Sequence, residues 1–385
     1  MLRILSIFGT RPEAVKMSPV VLELARTEGI ESHVVVTAQH RQMLDQVLNI
    51  FDIHPERDLN LMRPNQTLAE LTAEILSHLD PVVREINPDW ILVQGDTTTV
   101  MAAALLAFYN HIRVGHVEAG LRTYNKWQPF PEEVNRRVAG AIADLHFAPT
   151  EHSRQNLLRE GVPDWRICVT GNPDVDALHY ITGLPTPTLV QELLTSRGIA
   201  PGGKRLILIT AHRRENFGKP LEAICAALKD LAARYAGDVE LIYPAHLNPN
   251  VQEPVHRLLQ GIPNLTILDP LDYLPMIHLM KHATLVLTDS GGIQEEATSL
   301  RIPTLVMRAV TERPEGVEAG VLRLVGTDPA VIVKEASILL DDPQAYQCMS
   351  QAPNPFGDGH AAEKIVRALV GFNASHPASE DILLG

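Results

Sequence analysis

Trp90-Ile91-Leu92-Val93-Gln94-Gly95-Asp96-Thr97-Thr98-Thr99, a long alanine- and leucine-rich stretch, and then Val114-Gly115-His116-Val117-Glu118 together make one complete strand–helix–strand unit. An apolar run ends in a glycine turn, a stretch of helical character follows, and a second short run closes the unit. Such a unit builds parallel sheets with helices on both faces. The same rhythm runs through the chain, with strands expected at 3–8, 33–37, 90–94 and 114–118 and again at 206–210, 239–243, 265–268, 285–288 and 304–307. The fold class is therefore α/β, with two Rossmann-like doubly wound domains expected to face each other across a cleft.

At 385 residues the chain exceeds the size at which one hydrophobic core stops growing. The stretch 182–204 is rich in proline and glycine near both ends and carries no strand pattern, so the boundary falls just before it. This gives an N-terminal domain over 1–175 and a C-terminal domain over 176–359. A last helix, expected within 360–385, packs back on the first domain.

Composition narrows the function. A formal charge of -13 and a pI near 5.6 argue against nucleic acid or an anionic membrane as partner, since both recruit net-positive surfaces. The opening run MLRILSIFG is too short and too quickly broken for a signal peptide or a span, so a cytoplasmic protein is expected. Cys168, Cys225 and Cys348 are odd in number and far apart, which suits free thiols.

Ligands of open parallel sheets collect at the carboxyl ends of the strands, and those positions are unusually polar here. Gly9-Thr10-Arg11-Pro12-Glu13-Ala14-Val15-Lys16 reads as a glycine turn opening a helix, with Arg11 and Lys16 suited to a phosphate and with free N–H groups at the helix start. Asp96 and Glu118 end two strands, and Glu132 follows a proline-rich turn one helical turn before Arg136. The second half offers His212 and Arg213 after one strand and His246 after the next. Thr288-Asp289-Ser290-Gly291-Gly292-Ile293-Gln294-Glu295-Glu296 then combines a strand end, two glycines and a helix start. There Ser290, Gly291 and Gly292 suit a diphosphate and Glu296 a ribose diol, with Arg313 nearby in the TERPEG stretch. No G-x-G-x-x-G and no G-x-x-x-x-G-K-[ST] occurs, so neither a dinucleotide cofactor nor a P-loop is expected. His116-Val117-Glu118 lacks a third ligand at usable spacing, and no metal is expected.

GTRPEAVKM, TAQHRQMLDQVL, GDTTT, GHVEAGLRT, PFPEEVNR, TAHRREN, YPAHLNPNV, LTDSGGIQEEA and ERPEGVEAG occur in that order along nearly the whole chain. This series resembles the signature blocks of the non-hydrolysing bacterial UDP-N-acetylglucosamine 2-epimerases. The resemblance implies a glycosyltransferase-B fold, a homodimer, no cofactor, and production of UDP-N-acetylmannosamine for surface polysaccharides. It further implies substrate binding by Arg11, Lys16, Asp96, Glu118, Arg136, His212, Ser290, Gly291, Gly292, Glu296 and Arg313. Catalysis falls to Asp96, Glu118 and Glu132, with His212 and Lys16 assisting. Gln39, Gln42, Glu132, Arg213 and His246 match a constellation that holds a second, activating substrate molecule in bacterial relatives. Met276 stands where relatives often carry an aromatic residue, and Asn65 where some carry an arginine. Alternatives of the same fold are a UDP-sugar glycosyltransferase and a hydrolysing 2-epimerase; a catalytically silent UDP-sugar sensor is a third reading.

Overall fold

The computed structural model describes residues 1–37, 41–63, 65–311 and 313–375, with the backbone alone for Arg41 and Gln42. It divides into two compact units, one formed by Met1–Ala177 with the stretch from Gly357 onward, the other by Leu178–Phe356.

The first unit is built on a parallel sheet of β1 (Leu2–Phe8), β2 (Ile30–Val36), β3 (Arg57–Asp58), β4 (Trp90–Gln94), β5 (Arg113–Val117), β6 (Leu145–Ala148) and β7 (Ile167–Val169). Among the described residues the strand order is β3-β2-β1-β4-β5-β6-β7. β4 and β5 are buried along their whole length, which is why apolar residues stand on both faces of each strand rather than at alternate positions. The helix Thr98–Tyr109 lays Val100, Ala103, Ala104 and Ala107 on this core, and its small residues let it lie close to the sheet.

The last helix, Ala361–Ser375, belongs to the same unit. Asp176 caps it by accepting the N–H groups of Ala361 (3.1 Å) and Ala362 (2.9 Å). Its Phe372 ring meets Trp90 edge-on at 5.4 Å, and Arg113 lies over both rings.

The second unit repeats the plan with β8 (Arg205–Thr210), β9 (Val239–Pro244), β10 (Leu265–Leu268), β11 (Ala283–Thr288), β12 (Thr304–Val306) and β13 (Leu322–Leu324), in the order β10-β9-β8-β11-β12-β13 among the described residues. Ile207, Ile209, Leu241, Leu285 and Leu287 meet Leu221, Ile224, Leu228 and Leu231 of the helix Lys219–Arg234 in its core. The stretch 182–204 contains the helix Thr188–Arg197, which ends at Gly198 with φ +69°, and a single bridge from Ile199 to Lys204. Glycine carries that left-handed turn without a Cβ clash.

Sequence periodicity missed β3, β6, β7 and β13, strands of two to four residues that are too short to show a period. It also carried one strand through Glu118, whereas β5 ends at Val117 and Glu118 turns away with φ +60°. In each sheet the order reverses once, between β1 and β4 and between β8 and β11. At such switch points the connecting helices leave on opposite faces and open a crevice at the strand ends.

Candidate functional site

At the switch point of the first unit, the turns after β1, β4 and β5 converge. Thr10 caps the helix Arg11–Arg26 in a reciprocal box with Glu13. Glu13, buried to 2 % exposure, accepts the N–H groups of Gly9 (2.9 Å) and Thr10 (2.7 Å) and the hydroxyl of Thr97 (2.6 Å). Burial pushes its pKa up, against the pull of those hydrogen bonds. The N–H groups of Gly9 and Thr10, which precede the helix, are thus satisfied by Glu13.

Lys16 lies one and a half turns into the same helix and donates to Glu118 Oε1 at 2.6 Å, with Asp174 Oδ2 at 3.7 Å. Glu118 also accepts from Asn172 Nδ2 (3.3 Å) and from the Gln94 side-chain amide. Three donors therefore fix both of its oxygens. Asp96 follows Gly95, whose φ of +80° makes the turn. Its carboxylate pairs with Arg136, and its carbonyl accepts from Asn135 Nδ2 at 2.9 Å. His116 Nε2 sits 2.7 Å from the Gly95 carbonyl, so the turn is held from both sides. Glu132 opens the helix Glu132–Ile142 that carries Asn135 and Arg136, and its Oε2 is buried without a hydrogen-bond partner among the described residues. Asp96, Glu118, Lys16 and Arg136 are thus linked in ion pairs within one unit, with Glu132 one turn from Arg136.

In the second unit, Asp289 is the hub. Fully buried at the end of β11, it accepts the N–H groups of His212 (3.0 Å) and Arg213 (2.9 Å) and the Asn216 side-chain amide (2.9 Å). The Tyr243 hydroxyl donates to Ala211 O at 2.6 Å and pins the loop from the other side. His212 stacks on His246 with ring centroids 5.4 Å apart. Burial lowers the His212 pKa although Asp289 pulls it up.

Ser290 starts the helix Gly291–Ser299 but makes no side-chain cap bond. A methyl group added at Gly292 would meet no protein atom within 4 Å. Packing alone therefore does not demand glycine there, whereas close approach of a ligand backbone would. Glu296 lies half-buried on the second turn of this helix, and Arg313 pairs with its neighbour Glu295. Met276 lies on the helix Tyr273–Lys281, and Asn65 takes a left-handed φ of +62°.

Of the expected activator residues, Arg213 and His246 flank His212 in this unit. Gln39 and the Gln42 side chain lie outside the described residues. Gln94, Glu133, Asn172, Asp174, Asp289 and Glu295 escaped the sequence reading of the site. The pairing of Thr10 with Glu13 was legible as T-x-x-E; the others needed the third dimension.

Two parallel sheets, each with a polar cluster at its switch point, define an α/β enzyme of the Rossmann-like nucleotide-binding class. The family model for UDP-N-acetylglucosamine 2-epimerase matches residues 22–370. The chain is 54 % identical over 370 residues to the UDP-N-acetylglucosamine 2-epimerase of Yersinia pestis, covering 96 % of this chain and 98 % of that one. The Neisseria meningitidis UDP-GlcNAc 2-epimerase, solved bound to UDP-GlcNAc, superimposes with a TM-score of 0.85 at 46 % identity, covering 96 % of this chain and all (100 %) of that one. The Methanocaldococcus jannaschii enzyme, solved with UDP-GlcNAc and UDP, gives 0.75 at 34 % identity over the same 96 % and 100 %. The chain belongs to the UDP-N-acetylglucosamine 2-epimerase family, a family of isomerases, and its two Rossmann-like units are those of the glycosyltransferase-B fold. No described helix is long and apolar enough to cross a membrane.

Proposed function

We propose that the chain interconverts UDP-N-acetylglucosamine and UDP-N-acetylmannosamine by expelling UDP to give 2-acetamidoglucal and then adding UDP back, as a cytoplasmic homodimer supplying surface-polysaccharide precursors. The C2 hydrogen of the sugar has no adjacent carbonyl to acidify it. Loss of the C2 proton together with departure of UDP from C1 gives the glycal. Protonation of C2 on the opposite face and return of UDP to C1 complete the inversion. Such a route needs cations for the departing diphosphate and carboxyl groups near C2.

The observation that carries the reading is the clasp on Glu118. Lys16, Gln94 and Asn172 hold this carboxylate at the switch point, beside the turn that bears Asp96. Asp96, Glu118 and Glu132 supply the proton-transfer groups, Arg11, Lys16 and Arg313 the positive charge, His212 a hydrogen bond to the departing diphosphate, and Arg136 orients Asp96. Ser290, Gly291, Gly292 and Glu296 receive the UDP moiety. Binding of UDP-GlcNAc in the Neisseria relative and of UDP-GlcNAc with UDP in the Methanocaldococcus relative supports this substrate assignment. As the family resemblance implies, Gln39, Gln42, Arg213 and His246 are assigned to a second, activating substrate molecule.

Incubation of the protein with UDP-N-acetylglucosamine alone, followed by proton NMR, separates the readings. UDP-N-acetylmannosamine with deuterium at C2 in heavy water is the expected product. Free N-acetylmannosamine would instead mark a hydrolysing enzyme, and no reaction without an acceptor would mark a glycosyltransferase. Glu118→Gln should slow turnover by about 10²–10⁴-fold. An oxygen-18 label bridging C1 and phosphate that never scrambles would refute reversible expulsion of UDP.

A further inference from the structure

We propose that Glu133 is a positioning residue for the epimerisation, acting through Arg136 on Asp96; the proposal rests on the function assigned above. Glu133 and Glu132 are neighbours in sequence, but about 100° of helical rotation separates their side chains. Glu133 is completely buried, at 0 % exposure. A carboxylate in that position persists only if its oxygens are satisfied, and here they are. One oxygen accepts the backbone N–H of Thr123 at 3.0 Å, and the other accepts that of Tyr124 at 3.0 Å. Arg136 Nη1 donates at 3.3 Å to the same oxygen as Thr123, from one turn further along the helix. Arg137 Nε lies 3.6 Å away.

The Arg136 guanidinium is thereby gripped between two carboxylates. Nη1 faces Glu133 and the Leu121 carbonyl (3.4 Å), which leaves Nη2 for Asp96. The planar guanidinium transmits orientation as well as charge, because its donors sit in a fixed fork. The same Glu133 carboxylate pins the loop that leaves β5 just after Glu118. Tyr124 there takes a left-handed φ of +59°, and its hydroxyl donates to Asn156 Oδ1 at 2.9 Å. One buried anion therefore ties the loop following Glu118 to the helix start bearing Glu132, and through Arg136 fixes the direction of Asp96. Its complete burial, with both oxygens held by protein donors, is what makes it a positioning residue.

The test compares Glu133→Gln, Glu133→Asp, Arg136→Met and the Glu133→Gln/Arg136→Met double variant for kcat and KM with UDP-N-acetylglucosamine, alongside their melting temperatures. Glu133→Gln should lower kcat by about 10–100-fold, the scale of losses from misplaced reacting groups, with KM changed by less than about threefold. Glu133→Asp, which keeps the charge with a shorter reach, should recover part of that loss. Arg136→Met should show a similar drop, and the double variant should be no slower than the slower single one, because both changes cut the same route.

Wild-type kcat in folded Glu133→Gln, or losses that multiply in the double variant, would overturn the proposal. Should Glu133→Gln fail to fold, Arg136→Met decides alone, since it leaves the two backbone donors to Glu133 intact: unchanged kcat there removes the route to Asp96. Absence of turnover by the wild-type protein would overturn the assigned function itself and the proposal with it.

Discussion

His116 on β5 and His146 on β6 face each other in register, each 1 % exposed, and they make the first unit acid-labile in a calculable way. Burial lowers the His116 pKa from 6.5 to about 4 and that of His146 from 6.5 to about 3, and each ring has a buried Nδ1 without a hydrogen-bond partner. In the unfolded chain both titrate near the ordinary 6.5. Between these values the unfolded state binds more protons than the folded state. Stability is thus fully present above about pH 6.5 and is lost as pH falls toward about 4 and then about 3.

At about 1.4 kcal/mol per pH unit, going from pH 7.5 to 4.5 should remove about 2.5 kcal/mol through each histidine, or about 5 kcal/mol together. That is a large share of the roughly 5–15 kcal/mol that holds a domain together. All three tryptophans, Trp90, Trp127 and Trp165, lie in this unit, so intrinsic fluorescence during urea denaturation reports its unfolding selectively. His146→Leu should flatten the pH dependence between those limits by about 2.5 kcal/mol, whatever it does to stability at neutral pH. Parallel pH profiles for variant and wild type would refute the assignment of the lost stability to this buried ring.

Asp289→Asn puts an amide among the N–H donors of His212, Arg213 and Asn216; a loss of about 2–3 kcal/mol in scanning calorimetry is expected, and an unchanged melting temperature would count against the hub. Glu296→Ala should weaken UDP binding by roughly one to two orders of magnitude, measured by titration calorimetry, and equal affinity would remove Glu296 from the ribose site. If a second substrate molecule activates, velocity should rise sigmoidally with UDP-N-acetylglucosamine, and UDP-N-acetylmannosamine alone should react slowly until traces of the other sugar are added. Hyperbolic curves in both directions would dismiss the activator.

The strand-end positions of Asp96, Glu118, His212 and Ser290 were legible because an apolar run that stops at a glycine or a charged residue marks where a buried parallel strand meets solvent. So was the placing of Glu132 and Arg136 on one helix face, which needs only a spacing of four, although Arg136 pairs with Asp96 and Glu133. The turn at Gly9 carries in Thr10-Arg11-Pro12-Glu13 the spacing of a capping box, whereas the burial of Glu13 and its hold on the Thr97 hydroxyl follow from tertiary packing.

What the sequence determined by itself is local and periodic. It specified two parallel α/β halves, the turns that end their main strands, and the residue types gathered there, since period, turn chemistry and composition act over a few residues. Which groups meet was decided by tertiary structure alone. Lys16 reaches Glu118 across 102 positions, Arg136 reaches Asp96 across 40, and Asp289 gathers the His212 loop from 77 positions away. Those pairings follow from strand order at the switch points, which brings the ends of β1, β4 and β5, or of β8 and β11, together. No spacing along the chain encodes that distance, because packing of whole sheets and helices sets it.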